Sequence, residues 1–363
     1  MTKRTVYILS LDGGGIRGVI SAHILEILHA TLAQPEGRTL GDMFDLVAGT
    51  SAGGILALGL TVPDANGQAR YTPHDLKHLY AARGGEIFPP SRYGWMRTLR
   101  QVMRHKYDET GLETILDEIL GEARISDAVT DLVVTSYDTV RRTPHYFRKP
   151  DLRTGPSAPD FLMRDAARAT TAAPTYFKAH RCSAIGVQAQ IEQYLAERFP
   201  EGRFPENYRA NDFSLIDGGI CLSNPSLTAL MEAQKLFPDA DEFVIVSVGT
   251  GKTNRPFPYD DISNWGALNW VGMIRGVPLL SMMMDGQSDN AEMMLAQFPR
   301  VQFFRFDIEL VGANDDLDDA SPANIEKLID VADRAIDRGQ NDLLRLASLF
   351  GHSEAGEPAA IMS

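Results

Sequence analysis

The sequence has few of the residues that build disulfide frameworks or metal sites. Its 363 residues include two cysteines, Cys182 and Cys221, which form no CxxC pair. No group of histidines and cysteines shows metal-ligand spacing, so we expect no metal site and no cofactor. So low a cysteine count is typical of proteins kept in a reducing compartment, and it predicts a cytoplasmic location.

Long apolar runs are also missing. The start of the chain, residues 1–11, has only a short apolar run before Asp12, too short for the apolar region of a secretory signal. The longest weakly polar run, residues 46–62, is shorter than the roughly 18 residues that a membrane-spanning helix requires, and glycine, serine and threonine interrupt it. We therefore expect no transmembrane segment.

Positive charge is scarce, because 35 lysines and arginines face 48 acidic residues and leave a formal net charge of −13. Binding to nucleic acid needs a basic surface, so we expect no nucleic-acid partner. No stretch has the composition of a flexible linker, and no segment repeats at a fixed period. We expect a single domain over residues 1–350, followed by a disordered tail over residues 351–363.

Short apolar runs alternate with helical patterns along the chain. Strands are predicted over residues 6–11, 44–48, 132–136, 214–216, 243–248 and 301–306, and helices over residues 19–32, 55–60, 112–120, 227–237 and 325–349. This alternation predicts a three-layer α/β/α fold with a mainly parallel central sheet. Chemistry in such sheets lies at the carboxyl ends of the strands. Three glycine-rich segments follow predicted strands and are expected at those ends.

The first of these segments to suggest chemistry is Gly49-Thr50-Ser51-Ala52-Gly53, between a buried strand and a helix. Gly49 and Gly53 would permit a tight, strained turn that pushes the Ser51 hydroxyl into the open, at the positive end of the helix. A turn of small residues that only lets the helix pack on the strand has the same pattern. The strand–turn–helix context favours Ser51 as a nucleophile.

A second segment, residues 12–18 (DGGGIRG), follows the first strand. The N–H groups of Gly13, Gly14 and Gly15, with Arg17 nearby, suit an oxyanion hole for acyl transfer. The same glycine spacing satisfies the G-x-G-x-x-G pattern, so a dinucleotide- or nucleotide-binding module is the alternative from another class. That alternative requires a ribose-binding carboxylate at the end of the second strand, where the serine turn stands instead.

The general base must come from elsewhere in the chain. A serine hydroxyl needs a proton acceptor, usually histidine, but none of the eight histidines follows an apolar strand in a glycine-flanked turn. Asp217 does, because it follows the strand over residues 214–216 and precedes Gly218 and Gly219. An aspartate that only caps a turn has the same pattern, so both interpretations of Asp217 stay open here.

Taken together, these three segments resemble the patatin-like phospholipase family. DGGGIRG at residues 12–18, GTSAG at 49–53 and DGG at 217–219 stand in the family's order, and the similarity continues in residues 167–177, Asn224-Pro225 and SVGTG at 247–251. The resemblance covers residues 5–251.

The resemblance implies a lipid acyl hydrolase of the phospholipase A type that uses a Ser–Asp dyad. Ser51 would attack the ester carbonyl and form an acyl-enzyme, Asp217 would accept the proton, and residues 13–15 with Arg17 would form the oxyanion hole. No metal would be needed. The substrates would be membrane glycerolipids, reached by peripheral contact at the inner membrane surface. A lipid acyltransferase on the same dyad stays open as an alternative.

One segment is a candidate for contact with lipid. Residues 91–106 hold five basic residues and no acid. Trp95, Arg97, Arg100 and Arg104 would suit anionic headgroups on a short amphipathic helix. A solvated surface helix fits the same pattern and is the slightly preferred interpretation.

Two later segments have less specific patterns. Residues 265–298 contain six methionines, which would either fill the core or form a wall for an acyl chain. The acidic run over residues 314–319 lacks the register of a calcium loop, and a solvated loop is expected there.

Overall fold

A computed structural model of the chain describes residues 3–32, 38–89, 105–150, 159–186, 191–193, 195–196, 211–253, 255–271 and 277–351. The predicted lipid contacts Trp95, Arg97, Arg100 and Arg104 lie outside these residues, as does the predicted tail from residue 352 onward.

The strands of the described chain form one eight-stranded sheet. They are β1 (Thr5–Leu11), β2 (Leu46–Thr50), β3 (Asp131–Asp138), β4 (Thr143–Arg148), β5 (His180–Ser183), β6 (Asp212–Asp217), β7 (Glu242–Val248) and β8 (Val301–Phe306). Each strand is hydrogen-bonded to the next along the path β5-β6-β3-β2-β1-β7-β8, and β4 also pairs with β3. The pairs among β3, β2, β1, β7 and β8 are all parallel. The prediction of a mainly parallel sheet is confirmed.

Helices cover both faces of this sheet. They are α1 (Gly18–Leu32), α2 (Leu40–Met43), α3 (Ala52–Thr61), α4 (Pro73–Ile87), α5 (Thr110–Leu120), α6 (Met163–Thr170), α7 (Ser226–Leu236), α8 (Tyr259–Ile262), α9 (Ala267–Val271), α10 (Pro278–Leu295), α11 (Pro322–Arg338) and α12 (Gln340–Leu349). None of the helices in the described ranges has both the length and the apolar character needed to cross a membrane.

Alternate residues of β1 point to opposite faces of the sheet and pack in two separate cores, as the two-residue period of a strand requires. Leu9 of β1 packs in the larger core with α1, α3 and α11, whereas Ile8 packs in a smaller core with Leu230 of α7. Both faces of β1 are therefore buried, which explains why its sequence is a continuous apolar run rather than an alternating one. The three-layer arrangement follows from these two cores.

The sequence patterns missed several elements. Strands β4 and β5 and helices α4 and α10 were not predicted, and the helix expected over residues 325–349 is divided at Gly339 into α11 and α12. The second strand begins at Leu46 rather than at Phe44. The strand starts later than predicted because Asp45 contacts the neighbouring strand through its side chain: its carboxylate accepts the backbone N–H of Tyr7 at 2.7 Å.

Strands β2 and β6 both pair with β3, at successive stretches of that strand. Thr50 at the end of β2 lies opposite Thr135 of β3, and Asp217 at the end of antiparallel β6 lies opposite Ser136. Since β4 occupies the other edge of β3 over these residues, β2 and β6 lie end to end along one edge. A mainly parallel sheet was predicted, and β6 is one of its antiparallel strands. Its carboxyl end nevertheless meets the carboxyl end of β2.

Candidate active site

Ser51 stands in a strained turn between β2 and α3. Its backbone has φ 53° and ψ −120°, a conformation rare for any residue other than glycine. The turn is too tight for side chains on either flank, because a Cβ at Gly49 would overlap the carbonyl oxygen of Gly53, and one at Gly53 that of Leu11. The expectation of a hydroxyl in the open was wrong, since Ser51 is only 8% exposed. It lies on the floor of a cavity instead.

The Ser51 hydroxyl donates a hydrogen bond of 2.7 Å to Oδ2 of Asp217. The other carboxylate oxygen of Asp217 accepts the backbone N–H of Gly219 at 2.7 Å, within a short 3-10 turn over Gly218–Ile220. Burial raises the pKa of Asp217 to about 6, and these two hydrogen bonds oppose that rise. A buried carboxylate with a raised pKa is a stronger proton acceptor than an exposed aspartate.

One segment holds both members of this pair. Thr170, the last residue of α6, accepts the backbone N–H of Ser51 on its hydroxyl oxygen at 2.8 Å. Two residues later, the carbonyl oxygen of Ala172 accepts the backbone N–H of Asp217 at 3.1 Å. The segment that the family resemblance covers at residues 167–177 therefore fixes the relative position of Ser51 and Asp217.

The glycine-rich loop after β1 approaches the same cavity, but its three glycines differ. The N–H of Gly13 donates to the carbonyl oxygen of Ser223 at 3.0 Å, whereas Gly14 and Gly15 line the cavity beside Ser51. Within the described residues, the N–H groups of Gly14 and Gly15 have no protein acceptor. Gly15 has φ +58°, and a side chain there would overlap the carbonyl oxygen of Leu317. Of the predicted oxyanion donors Gly13, Gly14 and Gly15, only the last two therefore have an N–H group left to bind an oxyanion.

Arg17 is buried but does not line the cavity of Ser51. Its guanidinium contacts the hydroxyl of Thr253 at 3.4 Å and lines two polar clefts on the far side of Met284. Burial lowers the pKa of Arg17, while Asp285 and other carboxylates nearby oppose that change. Its side chain is therefore not placed to contact an ester bound at Ser51.

The cavity above Ser51 and Asp217 has mostly apolar walls. An apolar lining with a few converging polar groups is typical of small-molecule sites. Besides the polar groups around Ser51, its lining consists of Ala52, Ile55, Tyr80, Ile87, Phe88, Leu112, Ala173, Pro174, Tyr176, Phe177, Ile220, Leu280, Met284 and Leu317. Such a surface suits an apolar chain with one polar group at the buried end.

Much of this wall comes from elements that the sequence patterns did not assign to the site. Tyr80 of α4 also donates its hydroxyl to the carbonyl oxygen of Ala52 at 2.8 Å, which holds the start of α3. Of the methionine-rich segment, Met284 lines the cavity, while Met293 and Met294 are exposed at the far end of α10. Sequence alone could not show which of these methionines lines the cavity, because methionines at helical spacing occur both in cavity walls and in the core.

The acidic run over residues 314–319 is not a solvated loop, contrary to expectation. Asp318 accepts the Tyr107 hydroxyl at 2.6 Å and pairs with Lys106. Next to Asp318 in this run, the carbonyl oxygen of Leu317 accepts the N–H of Ile16 at 2.9 Å, and Leu317 also lines the cavity. The carboxylates anchor this loop over the glycine-rich loop.

Histidine does not contribute to this site within the described ranges. None of the seven described histidines lines the cavity. For example, His23 contacts Asp333, His180 contacts Asp165, and His145 packs among phenylalanine rings. In the same residues, no group of three or more histidine, cysteine or acidic side chains is arranged to hold a metal ion.

The chain is similar to known proteins in sequence and in fold. Residues 9–230 match the family model described as patatin-like phospholipase. The chain is 29% identical to Patatin-like protein 2 of Oryza sativa subsp. indica, over 92% of this chain and 84% of that protein. It is 30% identical to Patatin-17 of Solanum cardiophyllum, over 91% and 83%. Human GIVD cytosolic phospholipase A2 matches with a TM-score of 0.44 and 10% identity, over 95% of this chain and 62% of that chain.

Proposed function

This chain belongs to the patatin-like phospholipase family, which supports a lipid acyl hydrolase activity in general, and we propose that it cleaves carboxylic esters of glycerolipids as a phospholipase A. The observation that carries the proposal is the 2.7 Å hydrogen bond from Ser51 to Asp217 on the floor of an apolar cavity. A nucleophile and its proton acceptor are already in contact there, at the buried end of a site that suits an acyl chain.

In the proposed reaction, the Ser51 oxygen attacks the ester carbonyl carbon while its proton passes to Oδ2 of Asp217. The tetrahedral intermediate then collapses to an acyl-Ser51 ester, and the leaving alcohol takes the proton from Asp217. A water molecule repeats the sequence: it attacks the acyl carbon, gives its proton to Asp217, and Ser51 leaves with that proton as the fatty acid is released. Each half-reaction returns Asp217 to its ionised form.

The negative oxygen of the tetrahedral intermediate needs hydrogen-bond donors, and we assign Gly14 and Gly15 to this role. Both residues line the cavity, and their N–H groups have no protein acceptor in the described chain. We leave out Gly13, whose N–H is bonded to Ser223, and the Arg17 side chain, which lies outside the cavity. The positive end of α3 adds a favourable field at Ser51.

A fluorophosphonate probe tests the nucleophile. Such a probe should label the wild-type protein at Ser51, as identified by peptide mass spectrometry, and Ser51→Ala should not be labelled. Ser51→Ala should also reduce ester hydrolysis by a factor of about 10³ or more. A nucleotide-binding module would not be labelled. Turnover close to wild type in the folded Ser51→Ala variant would contradict the proposal.

Product analysis then tests the reaction. Incubation with a mixed glycerolipid extract should release free fatty acids and lysolipids, which mass spectrometry distinguishes. If acyl groups appear on an alcohol acceptor in place of free fatty acid, the acyltransferase alternative on the same dyad replaces hydrolysis.

A further inference from the structure

The wall of the cavity continues onto the outer surface of the same helix. In the first turns of α10, Leu280 and Met284 face inward and line the cavity above Ser51. On the outward side of these turns, Leu279 and Met283 are 43% and 40% exposed. Apolar surface therefore extends from the substrate cavity to the outside of the protein.

The chain before α10 enlarges this apolar surface. Helix α9 packs against α10, and its Leu268 is 79% exposed, as is Tyr259 of α8. Trp265 packs edge-on against Trp270, with their ring centroids 5.1 Å apart, and against Phe257 at 5.5 Å. All three rings are only partly buried. We define the apolar rim by seven residues: Phe257, Tyr259, Trp265, Leu268, Trp270, Leu279 and Met283.

The rim adjoins the substrate cavity rather than lying on a remote face. Met284 and Leu317 line the cavity of Ser51 and also the neighbouring cleft that Phe257 lines. A contiguous exposed apolar patch in a soluble chain marks a surface for binding. Tryptophan and tyrosine are favoured where one side of the ring meets apolar chains and the other meets water.

The charges around the rim indicate which lipid surface it fits. Between residues 255 and 271, the described chain carries one cation, Arg255, and it pairs with Asp315. The two acids of this stretch, Asp260 and Asp261, are exposed in α8. In the sequence from residue 256 to residue 284, these two acids face one arginine, Arg275, so the stretch that carries the rim keeps a formal charge of −1. Such a charge does not favour binding to an anionic membrane.

We propose that the apolar rim adsorbs to lipid surfaces without net charge, such as zwitterionic phospholipid, and opens the cavity of Ser51 directly onto that surface. This proposal rests on the proposed lipid acyl hydrolase function. Adsorption buries the exposed leucine, methionine and aromatic side chains among acyl chains and headgroups. A lipid leaving the surface then enters between α10 and the loop of Leu317 without crossing water.

The test compares two sets of substitutions on and beside the same helix. The rim variant carries Leu268→Ser, Leu279→Ser and Met283→Ser. The control variant carries Met293→Ser and Met294→Ser, which change side chains that are 65% and 45% exposed. The control positions lie about 14–15 Å along α10 beyond Met284, the last cavity-lining residue of that helix, at about 1.5 Å per residue. Binding is measured by co-flotation with phosphatidylcholine vesicles, and hydrolysis with vesicles and with a monomeric soluble ester.

We expect the rim variant to lose roughly tenfold or more in affinity for phosphatidylcholine vesicles, because it removes apolar surface that adsorption buries. Its hydrolysis of vesicle lipid should fall in parallel, while hydrolysis of the soluble ester stays at the wild-type rate. The control variant should match wild type in all three measurements. Added salt should leave wild-type binding unchanged, because adsorption does not depend on charge.

Other outcomes overturn the proposal. Equal vesicle binding by the rim variant and wild type removes the rim as the docking surface, and so does an equal loss in the control variant. Tighter, salt-sensitive binding to anionic vesicles assigns docking to basic residues. A change from dimer to monomer in the rim variant, seen by light scattering, makes the rim a contact between copies. Failure of wild type to hydrolyse the soluble ester overturns the catalytic proposal instead, whatever the vesicle binding.

Discussion

The guanidinium of Arg305 on β8 donates a hydrogen bond of 2.7 Å to the carboxylate of Asp12, at the start of the glycine-rich loop. The same nitrogen donates to Asp307 at 2.8 Å, and Asp307 accepts the N–H of Gly251 at 2.9 Å. Between these contacts, the Thr250 hydroxyl donates to the carbonyl oxygen of Gly13 at 2.8 Å. One buried cation therefore ties together the two loops behind Gly14 and Gly15.

Replacing Arg305 with methionine should destabilise the fold and slow the reaction. The variant leaves Asp12 and Asp307 buried without their cation, which costs about 3–5 kcal/mol in the free energy of unfolding. Urea unfolding measures this loss, and kcat for a soluble ester should fall because the loop of Gly14 and Gly15 is no longer held. Arg345→Met is the matched control, since the Arg345–Asp342 pair is exposed and such pairs contribute about 1 kcal/mol or less. Equal losses in both variants would contradict a special role for Arg305.

The Ser51–Asp217 contact predicts strong non-additivity. Asp217→Asn keeps the shape of the side chain but removes the proton acceptor, so kcat should fall nearly as far as in Ser51→Ala, by about 10³ or more. Because the two residues act as a unit, the double variant should be scarcely slower than either single one. The comparison uses kcat for a soluble ester on folded protein, checked by circular dichroism. Additive losses, or a single His→Ala change that abolishes turnover, would point to a different base.

Sequence patterns predicted the parts of this fold that depend on local composition. The apolar run of β1 and the serine turn were predictable because burial on both faces and tight turns restrict which residues can occupy them. The direction of β6 was not, because an antiparallel strand that meets β2 end to end has the same short apolar pattern as a parallel one. Asp217 was found because it follows a predicted strand and precedes two glycines, and neither feature depends on the direction of that strand.

The cavity walls were harder to predict than its floor. Leu280, Met284 and Leu317 lie far from Ser51 in sequence, and their positions depend on how α10 and the acidic loop pack on the sheet. A leucine or methionine at helical spacing has the same pattern in a core as in a ligand cavity. The carboxylates of the acidic run likewise suggested solvent, because their partners Lys106, Tyr107 and Arg255 are distant in sequence.

Thr170 offers a separate test of the strained turn. Its hydroxyl oxygen is the acceptor for the N–H of Ser51, so Thr170→Val, which keeps the shape, leaves that buried N–H without a partner. The free energy of unfolding should fall by about 1–3 kcal/mol, with a fall in kcat as the Ser51 turn relaxes. Thr170→Ser keeps the acceptor and should retain more of the stability and activity than Thr170→Val. If valine is tolerated as well as serine in urea unfolding and in kcat, the hydrogen bond does not hold the turn.

The raised pKa of Asp217 predicts how activity depends on pH. Asp217 must be ionised to accept the proton of Ser51, and burial raises its pKa from 3.8 to about 6. The active fraction therefore grows as pH rises: kcat/KM for an uncharged soluble ester should be half-maximal near pH 6, fall about tenfold per pH unit below pH 5, and reach a plateau above pH 7. The measurement is initial rates from pH 4.5 to 8.5 on protein that stays folded over that range. Cys221, whose own pKa is raised to about 11 by burial and by Asp217, is the nearby control, and Cys221→Ser should leave the midpoint in place. A rate that rises as pH falls from 7 to 5 would mean that the protonated form of Asp217 is the active one, and general-base catalysis by Asp217 would be wrong.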